Sequence, residues 1–502
     1  MKIDAIDIIQ TRNMAVPRKG KKRLPLPEQG VSTLIQVTAI TDGGKRVTGL
    51  GEIRAMTFLT GETPANGYGF ARRLGRALMG AELPEGLTGW DNAAATHALV
   101  TETTKSVKGI ATENALDDRM HPAVRFGFDS ALLEALANAA AVSVAGLLGG
   151  TPAPVRRNVF ARSFAKPSRL LNALLTNNKP NGWLRGSYAK DGPALASVVG
   201  AISAATNGRE DDMKGIWFDI KGRWRPEDLQ MMLEGLAGTS AVRNSSLELM
   251  LEQPFPGHAT AWYAKALELI GDVDGDLGGR ITMMLEDGLT SAEALEPMAA
   301  LMPHVDLKIT PQKCGSFHAL NAMLARADAL GFKGRVYLGN AGMNTELNSL
   351  VLASLVQVLD RDILFSADHK REDDSKIRQV HPQLSPDEED TRLLHLPEGS
   401  GWGTRLCKSG LEKRMRKSDF LRSASVSPDV DSLKTLLLMR AFDDSQLNIR
   451  QLDEDDEEEE VFETEASAED TQEGDDGADE VEAPSDAADD SGDTDEAAEN
   501  RA

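Results

Sequence analysis

The chain predicts an α/β fold: a (β/α)8-type barrel behind an N-terminal α+β capping domain, followed by a disordered acidic C-terminal tail. Three observations carry this. From about residue 155 short apolar runs alternate with amphipathic helical stretches, the pattern of parallel βα units. The residues before them read first as alternating strands and then as long helices. The last fifty residues hold almost all of the net charge of -23. The expected divisions are 1–150 for the cap, 151–395 for the barrel, 396–452 for a segment packing on barrel or cap, and 453–502 for the tail.

Each element has its own local signature. Up to about residue 60, "KIDAIDIIQ", "STLIQVTAI" and "VTGLGEI" alternate apolar and polar side chains, with the turn signal "DGG" before the third. From about 66 to 150 the period is helical and Ala-rich, and "HPAVRFGFDSALLEALANAAAVSVAGLLGG" reads as a long helix closed by its glycine pair. Then come the βα units. "GIWFDI" precedes "RPEDLQMMLEGLAG", "LELMLEQ" precedes "HATAWYAKALELI", and "RITMMLED" precedes "SAEALEPMAALM". "VDLKIT" precedes "SFHALNAMLARADALG", "RVYLGN" precedes "NTELNSLVLASLVQVL", and "DILFSAD" closes the series. With the less regular stretch from 156 to 205, the count approaches eight, which suits a closed barrel.

Charge and composition bound the function. From Asp453 to Ala502 there are 25 acidic residues against Arg501, so the 78 acidic and 55 basic residues of the whole leave 53 and 54 for residues 1–452. The body is thus near neutral, and no nucleic-acid partner is expected. The tail lacks the apolar content to offset its chain entropy and is expected to stay disordered. No run of about 18 apolar residues occurs, so no membrane partner is expected and the expected location is cytoplasmic. Cys314 and Cys407 are too few for a disulfide framework or a cysteine zinc site. "DVDGDLGG" fails as a calcium loop, because Leu277 stands where glycine is needed and Met283 where glutamate is needed.

The chemistry lies at the strand ends. Asp219 ends "IWFD", Glu252 ends "LMLE" and Glu286 ends "MMLE", 33 and 34 residues apart. Side chains from different strands converge at the C-terminal mouth of a barrel. Each carboxylate alone has a plain explanation as a solvated loop residue or helix cap. Three together repel unless a cation lies between them, and oxygen ligands suit Mg²⁺. On the next strand Lys308 is either a general base or a salt-bridge partner of those carboxylates.

This arrangement, three acidic strand ends followed by a lysine behind an α+β cap, resembles the enolase superfamily. Within it "HPAVRFGFDSALLEA", "NVFARS", "DLKITPQKCG" and "VYLGNAGMNTE" resemble the methylaspartate ammonia-lyases, over about residues 115 to 380. The resemblance implies a Mg²⁺-dependent lyase that abstracts the proton α to a carboxylate and eliminates a β-substituent. Asp219, Glu252 and Glu286 match the metal ligands, with Glu286 in place of the usual aspartate, and Lys308 matches the base. At positions that handle substrate in that family this chain has Arg162, Asn181 and Asp306 where glutamine, histidine and glutamine are usual, and Asn340 and Asn344 follow the seventh strand. The implied partner is a small carboxylic or amino acid, and a homo-oligomer is compatible with the pattern. Racemisation, dehydration and cycloisomerisation share the same first step, and a non-catalytic barrel with an interaction tail is the alternative class. Arg185 and Lys190 near the second strand could serve as an opposite-face acid or base. The basic cap loop at 17–24 could neutralise an anionic substrate.

Overall fold

The computed structural model describes residues 1–12, 31–109, 120–161, 182–187, 191–206, 213–273, 276–339, 345–366, 379–416 and 420–427. The cap is a four-stranded antiparallel sheet in the order Phe420–Val426, Lys2–Arg12, Val31–Ile40, Arg46–Ile53. The hairpin joining Val31–Ile40 to the edge strand Arg46–Ile53 turns at Thr41–Lys45, where Gly44 takes φ 78°, a conformation open to glycine without steric cost. The helices Pro64–Leu78, Trp90–Lys108 and Pro122–Ala139 belong to the same domain.

Pro122–Ala139 is buried on every side from Pro122 to Ala137, its polar Arg125, Asp129, Ser130 and Glu134 included, the position of a central helix. Its first turn is capped by Glu62, whose carboxylate accepts from the backbone N–H groups of Ala123 (2.9 Å) and Val124 (3.4 Å). It lies directly on strand Arg46–Ile53. A Cβ at Gly51 would fall 1.8 Å from the carbonyl oxygen of Gly127, and one at Gly49 2.0 Å from that of Ala131. The helix expected to run to Gly149 and Gly150 ends at Ala139. Ala141 turns the chain at φ 57°, and Ser143 then caps a separate turn, Val144–Leu147, by accepting from Gly146 N–H.

The barrel has eight parallel strands in sequence order: Val159–Ala161, Trp183–Ser187, Gly215–Asp219, Glu248–Glu252, Ile281–Leu285, Val305–Ile309, Val336–Leu338 and Ile363–Leu364. Seven parallel ladders join neighbours. The remaining seam is bridged by the N–H groups of Asn158 and Val159, both donating to Phe365 O at 3.1 Å, and by Phe365 N–H donating to Asn158 Oδ1 at 2.7 Å. Side chains alternate across each strand, so Val159, Trp183, Trp217, Met250, Met284, Tyr337 and Leu364 form one buried cluster inside the barrel. The next inward position toward the C-terminal end of a strand faces the mouth.

The stretch after the fifth strand, read from its apolar period as an amphipathic helix, is a 3₁₀ run, Glu293–His304. Pro297 and Pro303 lie inside it, and proline has no N–H for an α-helical ladder. The C-terminal segment returns to the cap. Trp402 donates its indole N–H to Leu50 O at 2.9 Å, and Phe420–Val426 pairs with the first strand. Residues 453–502 lie outside the described residues. Among the described residues no helix is long and apolar enough to cross a membrane.

Candidate active site

Asp219 is the last residue of the third strand and lies in register with Glu252, the last of the fourth. Glu286 follows the fifth strand directly. The sixth strand carries Lys308, level with Tyr337 of the seventh. All four sit two residues beyond an inward-facing Trp217, Met250, Met284 or Asp306, so the period of a strand brings them to the mouth together. Gly339 leaves room for the lysine, since a Cβ there would come within 3.1 Å of Lys308 Cε and of Thr310 Oγ1.

The expected convergence is present, but the charge between the carboxylates comes from the chain itself. Lys308 Nζ donates to Glu252 Oε1 at 2.5 Å and lies 2.7 Å from Glu286 Oε1. From the second strand, Arg185 Nε donates to Glu252 Oε2 (2.8 Å), and its Nη2 donates to Glu252 Oε1 (2.7 Å) and Asp219 Oδ2 (3.3 Å). Ser187 Oγ also donates to Asp219, at 3.4 Å. The guanidinium carbon lies 5.1 Å from the ring centre of Trp217 and 5.8 Å from that of Tyr337, distances at which a cation is attracted to a ring face. Glu252 is completely buried and has a cation on both oxygens.

These contacts set the protonation states. Burial pushes the Glu252 carboxyl up, yet Arg185 and Lys308 override it and hold it far below the usual carboxylate range. Burial and the Glu252 charge push Asp219 up, against Arg185 and Lys308. Glu286 is raised by burial and by Glu252, against the pull of Lys308. Burial pulls Lys308 down, but Glu252 and Glu286 together raise it above an ordinary lysine. Arg185 stays charged, since Glu252 more than offsets its desolvation. Counted as ionised, three carboxylates and two cations give the cluster a formal charge of -1. Lys308 rests as an ammonium.

Oxygen-only donors on three successive strands have the right chemistry for Mg²⁺, but this arrangement does not fit the ion. Both oxygens of Glu252 are already bonded, and Arg185 occupies the space between Asp219 and Glu252. Among the described residues no group of three or more His, Cys, Asp or Glu side chains is placed to hold a metal ion.

The other expected site residues divide. Asp306 does not reach the mouth: it lies one inward position below Lys308 and is taken by Arg335, whose backbone N–H (2.7 Å) and Nε (3.0 Å) donate to its two oxygens. An ion pair inside the barrel thus replaces the expected substrate contact. Arg162, Asn181, Lys190, Asn340, Asn344 and the basic cap loop at 17–24 lie outside the described residues. Arg185, which the sequence offers as a possible opposite-face acid or base, is ion-paired with Asp219 and Glu252. Ser187 and Arg335 were not singled out by motif. Counting inward positions from Trp183 and Tyr337 would have found both.

No family model matches the chain, and no curated protein sequence is similar to it. Solved structures do match. The muconate lactonizing enzyme from Pseudomonas putida superposes with a TM-score of 0.58 at 16% identity, covering 84% of this chain and 100% of that one. A dipeptide epimerase from Cytophaga hutchinsonii, solved with Mg and the dipeptide D-Ala-L-Val, gives 0.57 at 13% identity over 85% and 100%. The dipeptide epimerase from Enterococcus faecalis V583 gives 0.57 at 18% over 80% and 99%. None of the three is an ammonia-lyase, and at these identities the likeness is one of fold. The capped, eight-stranded parallel barrel of this chain is the fold that it shares with these three enzymes.

Proposed function

We propose that the chain is an enzyme of carbon-acid chemistry that removes the proton α to the carboxylate of a small amino or other carboxylic acid. The observation that carries this reading is the placement of Lys308: inward-facing at the barrel mouth and bonded to two carboxylates of raised and lowered basicity, Glu286 and Glu252. A lysine becomes a base only after giving up its own proton. Glu286 Oε1, 2.7 Å away and favoured in its protonated form by burial, is the group that can receive it. The transfer turns an ion pair into a neutral amine and a neutral acid, so the net charge of the cluster is unchanged. Neutral Lys308 then takes the α-proton.

Substrate recognition rests on the remaining groups. A net charge of -1 at the mouth receives the ammonium of an amino acid better than a second anion. Among the described residues Arg185 Nη1 makes no hydrogen bond, and it is the donor left for the substrate carboxylate on which negative charge grows. The step after proton removal, whether β-elimination as in an ammonia-lyase, epimerisation or ring closure, is read from the product. Magnesium enters this reading only if Arg185 leaves Asp219 and Glu252, and no step here depends on it.

The test is exchange of α-protons with D₂O over a panel of amino, hydroxy and dicarboxylic acids, monitored by NMR. At least one member should exchange with the parent, and Lys308→Ala should abolish that exchange. Exchange that survives Lys308→Ala at the parent rate, or a panel on which the parent is inert, overturns the reading.

A further inference from the structure

We propose that Arg185 is the resident cation of the barrel mouth: its guanidinium takes the place of a divalent ion between Asp219 and Glu252, and its removal turns Asp219, Glu252 and Glu286 into a divalent-cation site. This stands apart from the reaction proposed above, because metal binding reads it without any substrate.

Three observations support it. The first is geometric. Arg185 approaches Glu252 in a two-pronged pair at 2.7 and 2.8 Å and reaches Asp219 with the same Nη2, so one planar group bridges two strand-end carboxylates that lie in register. Guanidinium is the side chain suited to such planar, two-pronged contact. The second is the support behind it. Trp217 and Tyr337 present their rings to the guanidinium, and the side chain is only 22% exposed, so the contact is built into the barrel wall. The third is charge. With Arg185 and Lys308 in place, the three carboxylates sum to -1. Adding a divalent ion without moving Arg185 gives +1 in a buried site with no free oxygen on Glu252. Replacing Arg185 with a neutral side chain gives -2, which one divalent ion neutralises. Removing a buried partner without replacement is costly, and that cost is what an added ion would relieve.

The experiment uses the full chain as parent, Arg185→Gln, Arg185→Lys, and Arg185→Gln combined with Glu252→Gln. Each is titrated with Mg²⁺ by calorimetry and with Mn²⁺ by electron paramagnetic resonance. Salt of about 0.15 M screens binding along the acidic tail, which all four share. The parent and Arg185→Lys should show no single saturable site. Arg185→Gln should gain one, binding at least about tenfold tighter than any ion on the parent, as expected when a fixed positive charge leaves an oxygen donor set. Its melting midpoint should rise on adding Mg²⁺ while that of the parent stays put, and the double variant should lose the gain. A single saturable site on the parent overturns the proposal, as does a folded Arg185→Gln that gains no site. Should Arg185→Gln fail to fold without metal, the parent and Arg185→Lys titrations decide the matter: a stoichiometric site on either refutes it, and none on both sustains it.

Discussion

Replacing Glu134 with glutamine should make the fold less stable in acid and more stable in alkali, since it exchanges a titrating carboxyl that accepts two backbone hydrogen bonds for an amide that does not titrate. Glu134 lies on the central cap helix, is buried, and accepts from the N–H groups of Leu50 and Trp402. Those bonds favour the charged form, but no cation lies among the causes that act on it. Burial wins and pushes its pKa from 4.5 up to about 8. The folded state therefore keeps a proton that the unfolded chain releases, so stability falls as pH rises from about 4.5 to about 8 and levels off above. At about 1.4 kcal/mol per pH unit, the loss is on the order of 5 kcal/mol. The neutral amide of glutamine does not titrate. It resembles the protonated acid in shape, and it turns one N–H donor toward a backbone donor at a cost of about 1–3 kcal/mol. Denaturant unfolding of parent and Glu134→Gln from pH 4 to pH 9 gives two profiles whose difference cancels the other titrating groups. The curves should cross, with the variant ahead at high pH. A variant less stable than the parent throughout would show that the two backbone bonds outweigh burial and would refute the reasoning.

Lys308→Arg should lose α-proton exchange almost as completely as Lys308→Ala, because guanidinium does not give up its proton at workable pH; exchange near the parent rate would mean the residue acts by charge alone. Arg335→Met should cost about 3–5 kcal/mol in denaturant unfolding, since it leaves buried Asp306 with a backbone N–H bond but no counter-charge, and removes the pair with Glu248 and the stacking on Trp183; a loss below about 1 kcal/mol would contradict the ion-pair assignment. Gly51→Ala should destabilise by about 1–3 kcal/mol or more, because a Cβ 1.8 Å from Gly127 O forces the cap helix off its sheet. Gly69→Ala, in helix Pro64–Leu78 with open space around it, should stabilise by about 1 kcal/mol, so thermal melts of the two glycine variants should move in opposite directions.

The barrel was legible because each strand is a short apolar run followed by a helical period, and local pattern carries both. The acidic strand ends were legible for the same reason: Asp219, Glu252 and Glu286 each close an apolar run, and the period of a strand fixes their level. Features set by distant parts of the chain were not. "FLRSASV" pairs with the first strand over four hundred residues away, and nothing in its own composition marks a sheet edge. The 3₁₀ run after the fifth strand keeps a helical apolar spacing, while its two prolines alter the hydrogen bonding underneath. The end of the long cap helix was masked by continued Ala and Val content past Ala139, whereas the chain turns at Ala141.

A strand end fixes the height of a carboxylate but not its counter-charge, which depends on what neighbouring strands present at that height. Here the inward positions form two charged layers divided by the belt of Val159, Trp183, Trp217, Met250, Met284, Tyr337 and Leu364. Above the belt Arg185 stacks on Trp217 and serves Asp219 and Glu252. Below it Arg335 stacks on Trp183, its guanidinium carbon 4.7 Å from the ring centre, and serves Asp306 and Glu248. The two layers use the same device, an arginine placed over an indole with two acids at its edge. The belt is apolar apart from two indole N–H groups that find no hydrogen-bond partner among the described residues and the Tyr337 hydroxyl, and among the described residues no ion pair joins the acids of one layer to the arginine of the other. That is why a tally of barrel charges does not predict whether the mouth takes up a metal ion: only the upper layer counts, and in that layer Arg185 already bridges the carboxylates.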